Sequence, residues 1–222
     1  MKFLITLRSL LNKEEYDSLI QSARGHEGKW ANGLIGLLTD SQETIKWRAV
    51  KALGQVTAQL FSEDPERAKI IVRQLIWNLN EESGGIGWGM PEALGEILAV
   101  VPALQKEYAA LLAAYIVEEG CFLENEQLQK GVVWALGRIK TIEEGLKAKA
   151  LPFLLKALNH PDLSIRGTAT WTLGELRVQE AVPFLKTLPK ENRMIKICVN
   201  DRFQEKSLDQ WVQEAIQKLT ES

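Results

Sequence analysis

The feature that most constrains this chain is a segment that recurs. Four stretches end on the same Leu-Gly: WRAVKALG at Gly54, WGMPEALG at Gly95, KGVVWALG at Gly137 and GTATWTLG at Gly174. The glycines are 41, 42 and 37 residues apart. Each stretch follows another helix-like run, with turn residues between the two. The clearest unit is LPFLLKALNHPDLSIRGTATWTLGEL, where Pro152 is expected to open one helix and Asn159-His160-Pro161-Asp162 to turn into the next. A period of this size with two helices per unit marks an α-solenoid. The expected fold is therefore all-α, with about five helix pairs.

Counting from each glycine gives the buried face. Positions −5, −2, −1 and +2 hold Ala49, Ala52, Leu53 and Val56 in the first unit, and Met90, Ala93, Leu94 and Ile97 in the second. The third unit has Val132, Ala135, Leu136 and Ile139, and the fourth Ala169, Thr172, Leu173 and Leu176. This i, i+3, i+4, i+7 spacing is one face of an α-helix. Small residues at −5 and −2 admit a neighbouring helix, and the leucine fills the seam. The glycine either ends the helix or allows a tight crossing.

With its Ala-x-x-x-Leu-Gly pattern after a Pro/Asp-containing turn, plain in NHPDLSIRGTATWTLGEL, the chain resembles the HEAT-repeat superfamily. The variety it resembles is the short-repeat one that includes the phycobilisome-lyase type. The resemblance covers about residues 29–190 and implies HEAT-like helix pairs; in the second unit Met90 and Pro91 depart from the usual pattern. Residues 1–28 read as an N-terminal capping segment, with a polar helix over KEEYDSLIQSAR, residues 13–24. Residues 191–222 read as an extended insertion followed by a C-terminal capping helix, all in one continuous domain. Ile195, Ile197 and Val199 alternate with polar or small residues, a period of two that predicts a short extended segment or hairpin near 193–203. Leu208, Trp211, Val212, Ala215 and Leu219 return to helical spacing.

Positions −7, −3 and +1 lie opposite the buried face of each second helix. They read Trp47, Lys51, Gln55; Trp88, Glu92, Glu96; Lys130, Trp134, Arg138; and Gly167, Trp171, Glu175. Second helices usually line the concave side of a solenoid, so this stripe is expected to pave a groove, with its four tryptophans at least partly reachable from solvent. Either these rings pack between repeats, or, interleaved with Lys, Arg and Glu, they anchor a partner as binding hot spots do.

A second candidate is the segment Asn80 to Glu92. Ser83, Gly84, Gly85, Gly87 and Gly89 make it a candidate contact loop, placed before a helix that Pro91 can open. It has no Gly-Lys-Ser/Thr, follows no strand, and its Glu81, Glu82 and Glu92 repel phosphate, so it is neither a Walker loop nor a dinucleotide fingerprint. The alternatives are a turn needing positive φ and a loop approached closely by a ligand or peptide.

No catalytic, cofactor or metal site is read. His26 and His160 are the only histidines, and neither has a ligand partner at metal-binding spacing. Iron-binding HEAT-type hydroxylases use repeated His-Glu pairs, whereas His26-Glu27 is the one such pair here. Glu92 and Glu96, four apart on one helix, either hold a cation or form a solvated face. With 29 acidic and 27 basic side chains there is no global basic field. On the stripe, Lys51, Lys130 and Arg138 balance Glu92, Glu96 and Glu175, a neutrality that argues against the duplex-binding groove of HEAT-like DNA glycosylases. Two distant cysteines, Cys121 and Cys198, suit a reducing cytoplasm, and no apolar run approaches a membrane span. The expected function is a non-catalytic scaffold holding a protein or peptide partner in the groove. The resemblance implies a bilin lyase-like or chaperone-like alternative acting on a tetrapyrrole-bearing partner, and HEAT-like nucleic-acid binding is the second alternative.

Overall fold

The computed structural model describes residues 2–80 and 87–221. They are almost wholly helical and fall into two compact units, residues 1–108 and 109–222. The first contains α1 (Lys2–Asn12), α2 (Tyr16–Ala23), α3 (Glu27–Leu37), α4 (Glu43–Glu63), α5 (Pro65–Leu79) and α6 (Met90–Val100). Helix α7 (Pro102–Ala114) runs through the division point. The second contains α8 (Glu126–Ile139), α9 (Glu144–Ala157), α10 (Leu163–Glu175), α11 (Val182–Thr187), β1 (Met194–Val199), β2 (Arg202–Ser207) and α12 (Leu208–Thr220). From α3 onward the helices alternate in chain order as the first and second members of solenoid pairs.

Local chemistry sets the helix starts. Asp64 caps α5, accepting from the Arg67 backbone N–H at 3.1 Å, and Pro65 takes the first helical position, where its missing N–H costs nothing. Asn125 accepts from the N–H groups of Gln127 and Leu128 at the start of α8. Asp162 accepts from Ser164 N–H at 2.7 Å at the start of α10. Ser207 and Gln210 form a reciprocal capping box on α12. Pro152 does not open its helix. The run Gly145-Leu-Lys-Ala-Lys-Ala150 contains enough strong helix formers to extend α9 upstream of it, and the proline sits inside.

All sixteen positions −5, −2, −1 and +2 are buried. The glycines do not end the helices. A Cβ built at Gly54 in α4 would lie 2.8 Å from Glu96 Cγ of α6. At Gly137 in α8 it would lie 2.6 Å from Trp171 Cζ3 and 3.1 Å from Thr172 Cα of α10. At Gly174 in α10 it would lie 3.0 Å from Ala215 Cα of α12. Each is a point where one second helix presses on the next. Thr172, the polar member of the buried set, donates its hydroxyl to the Val133 carbonyl at 2.8 Å, which satisfies it inside that contact.

The N-terminal segment holds two helices, not the one read from residues 13–24. In α1, Phe3 meets Trp30 of α3 edge-on, with ring centroids 5.1 Å apart, and sits over Gly33. Arg48 donates to the Leu11 and Asn12 carbonyls at 3.2 and 3.0 Å, closing the C-terminus of α1. Arg8 pairs with Asp40 in the turn after α3. At the other end, β1 and β2 form an antiparallel hairpin, pairing Met194 with Ser207 and Val199 with Arg202. Asn200 and Asp201, with φ of 48° and 65°, make the two-residue turn that such hairpins favour.

Because close approach and not chain freedom fixes these glycines, substitution should separate by site. Gly174→Ala and Gly137→Ala are expected to lose about 1–3 kcal/mol by overpacking. Gly36→Ala, on a helical position with nothing within 4 Å, is expected to gain about 0.5–1 kcal/mol. Urea denaturation midpoints check both.

Candidate functional site

In the first unit the stripe begins on α4. Trp47 is half-buried, and the Lys46 ammonium lies 5.6 Å from the centroid of its ring. The same ammonium donates to Glu92 Oε1 of α6 at 2.7 Å. Lys51 sits over the Tyr16 ring of α2 at 4.4 Å. Trp88, just before α6, keeps 37% of its surface exposed. Gly89, next to it, packs against Lys46 of α4, where an added Cβ would lie 3.2 Å from Lys46 Cε.

Glu92 and Glu96 are not a solvated face. Glu96 is 4% exposed and Glu92 is buried too. The reason is the approach at Gly54, which draws the Glu96 stem into the α4–α6 seam, while Glu92 is held by Lys46. Gly89 adopts a φ of +77° and forms the cap of α6, where a Cβ would lie 2.9 Å from the Leu38 carbonyl oxygen. Gly87 accepts from Met90 N–H at 3.1 Å in the same turn. These two glycines serve backbone geometry and close packing. Ser83, Gly84 and Gly85 of the candidate contact loop lie outside the described residues.

In the second unit the stripe is covered by the chain itself. Trp134 and Trp171 are 5% and 4% exposed, against the expectation that both reach solvent. The causes differ: Trp171 packs on Gly137 of α8, and the hairpin covers Trp134. Trp134 Nε1 donates to the Cys198 carbonyl of β1 at 2.8 Å, and Ile195 of β1 fills the space over Gly167. The two indoles stack at 6.2 Å with an interplanar angle of 24°. Lys130 donates to Ser164 Oγ at 3.0 Å, and Arg138 is half-buried. Glu175 is held by Lys140 at 3.0 Å and by Lys218 of α12.

Glu175 and Glu27 are among the carboxyls that titrate below their ordinary range. Burial pushes the Glu175 carboxyl up, but the bonds from Lys218 and Lys140 outweigh it. Burial acts likewise on Glu27, at the start of α3. It is outweighed by bonds from the backbone N–H groups of Glu27 and Gly25 and by Arg67, 3.2 Å away. Sequence reasoning missed Lys46, Lys140 and Lys218. Lys140 and Lys218 lie beyond the repeat positions compared, and Lys46 differs from its neighbours only by where Glu92 falls. Among the described residues no group of three or more His, Cys, Asp or Glu could hold a metal ion, and no helix is long and apolar enough to cross a membrane.

Stacked second helices joined through glycine contacts define an α-solenoid repeat protein. The HEAT-like repeat family model matches residues 126–176, so this stretch of the chain is similar to HEAT-like repeats. No curated protein matches the sequence. Among solved structures, it is similar to a computationally designed armadillo repeat protein for modular peptide recognition, at 17% identity and a TM-score of 0.51, covering 98% of this chain and 100% of that one. It is also similar to another designed armadillo repeat protein, at 16% identity and a TM-score of 0.51, covering 98% and 92%. An engineered protein matches at 15% identity and a TM-score of 0.52, covering 99% of each chain. At these identities the likeness is one of fold.

Two outcomes are expected from this geometry. Trp134→Phe removes the bond to the Cys198 carbonyl, at a cost of about 0.5–1.5 kcal/mol, with faster amide exchange across 194–207. The second concerns acid. Because Glu27 and Glu175 titrate lower in the folded chain than in the unfolded one, their contribution is complete above the ordinary value of 4.5 and is lost as pH falls through the lowered folded values. Urea midpoints should hold steady near neutrality and drop below about pH 4.5, and the drop should be smaller in Glu27→Gln, itself less stable by about 1–3 kcal/mol.

Proposed function

We propose that the protein is a non-catalytic binding scaffold of the cytoplasm that holds a protein or peptide partner on the first unit's face around Trp47 and Trp88. The observation that carries this reading is Trp88, a large ring left 37% exposed just before α6, whose Glu92 is paired with Lys46. Exposed aromatic area next to fixed charges is the composition of binding hot spots. Trp47, half-buried under Lys46, supplies a second flat surface without needing to be ordered on binding. The solenoid fold supports the reading as well, since one designed armadillo neighbour was made for modular peptide recognition. Two free cysteines fit a reducing compartment.

The face is chemically balanced. Lys46 is paired with Glu92 and Lys51 rests on Tyr16, so recognition relies on ring contact more than on a charged field. The test is affinity for partners captured by the intact protein. Trp88→Ala should weaken binding by about thirtyfold, the effect of losing a hot spot worth about 2 kcal/mol. Trp77→Ala, which removes a ring 63% exposed on α5 and off the stripe, should leave it unchanged. Equal losses in both variants, or none in Trp88→Ala, would defeat the proposal.

A further inference from the structure

The second unit contains a cleft of about 680 Å³ where the ends of α8 and α10, the hairpin turn and α12 converge. Its walls include Lys140, Trp171, Glu175, Arg177, Asn200 and Lys218. The backbone here is unusual. Among the described residues, the non-glycines with positive φ are Glu14, Lys140, Arg177, Asn200 and Asp201, and three of these five wall this cleft. Asn200 is accounted for by the hairpin turn. The other two are not residues that favour the conformation.

Arg177 follows the end of α10 with a φ of 53°. Its N–H donates to the Gly174 carbonyl at 3.2 Å, and the Val178 N–H to the Leu173 carbonyl at 3.1 Å. This is the Schellman closure of a helix, whose left-handed position is usually glycine. Lys140 has a φ of 64° and a ψ of −38°, with Thr141 N–H bonded back to the Ile139 carbonyl at 2.8 Å. That is a γ-turn of the rare and strained kind. Two basic residues are thus held in backbone conformations that cost energy, both at one cleft. Strain of this sort concentrates where side-chain placement matters for binding.

The charges point to the ligand. Glu144 is paired with Lys147 at 2.6 Å and Glu214 with Lys206 at 2.7 Å. Glu175 takes both Lys140 and Lys218, which leaves one positive charge in excess. The Arg177 guanidinium makes no ion pair or hydrogen bond among the described residues. In addition, the indole Nε1 of Trp171 is cut off from solvent and has no hydrogen-bond partner, an uncommon and costly state for a buried donor.

We propose that this cleft binds a peptide carboxylate, from an acidic side chain or a chain terminus. Arg177 offers the planar fork that matches a carboxylate bidentately, and Lys140 and Lys218 supply the surrounding positive field. The site is independent of the Trp47–Trp88 face, so Trp47→Ala with Trp88→Ala should leave its binding unchanged.

The experiment is fluorescence anisotropy on the full chain with a fluorescein-labelled Glu-Ser repeat peptide, its Gln-Ser counterpart, and C-terminally amidated versions of both. Binding of the Glu-Ser peptide regardless of amidation identifies side-chain carboxylates. Binding only of peptides with a free terminus identifies the terminal carboxylate. Arg177→Gly should weaken binding by about tenfold, the effect of losing a charge-assisted bond, while raising the melting temperature because glycine accepts the left-handed position without strain. Arg177→Gln, which keeps the backbone penalty, should show the same loss of affinity. The proposal is overturned if the amidated Gln-Ser peptide binds as well as the others, if no peptide binds, or if both Arg177 variants retain full affinity.

Discussion

The missing Cβ at Gly54, Gly137 and Gly174, where one second helix meets the next, is the constraint on which the stacking depends. At Gly137 and Gly174 the neighbouring helix brings a backbone Cα to within 3.1 and 3.0 Å of where that atom would stand. Only glycine allows so close an approach, and the loss of helix propensity it entails, about 1 kcal/mol, is offset by contact along the whole seam. The flanking Ala and Leu positions are buried as a consequence, not as an independent choice. At Gly54 the neighbour is the flexible stem of Glu96, so the same contact is made by a side chain that can bend aside.

Repeat and periodicity therefore carried most of the architecture. Every −5, −2, −1 and +2 residue is buried, and the alternation at Ile195, Ile197 and Val199 is a strand. Its partner strand, RFQEKS, shows no such alternation, and along it only Ser207 is buried. The first helix is attached by Phe3, Leu7 and Leu11, which share one helical face at i, i+4, i+8, and by Arg8 and Arg48, which reach distant partners.

The candidate site was less legible, for a definite reason. A helical wheel tells which side of a helix faces away from its own seam, but not what another element places over that side. Glu92 and Glu96 lie on the far side by spacing, yet α4 comes close enough to cover them. Trp134 and Trp171 lie on the same stripe as Trp47 and Trp88, yet the hairpin covers Trp134 and α8 takes Trp171 at Gly137. Nothing in the four Leu-Gly segments distinguishes these cases, since the covering residues, Ile195 and Cys198, come after the repeat has ended.

The hairpin also explains how the second unit closes. Helix α12 stacks on α10 at Gly174, repeating the contact that α10 makes with α8 at Gly137. The hairpin lies over part of this second-helix surface. A main-chain carbonyl meets Trp134 Nε1, and an isoleucine lies on the Gly167 backbone. Its two-residue turn keeps it short, so it ends beside Lys140 and Arg177 without filling the cleft between them. The repeat surface is thus used twice, once as an internal seat for the chain's own strand and once as an open aromatic face in the first unit.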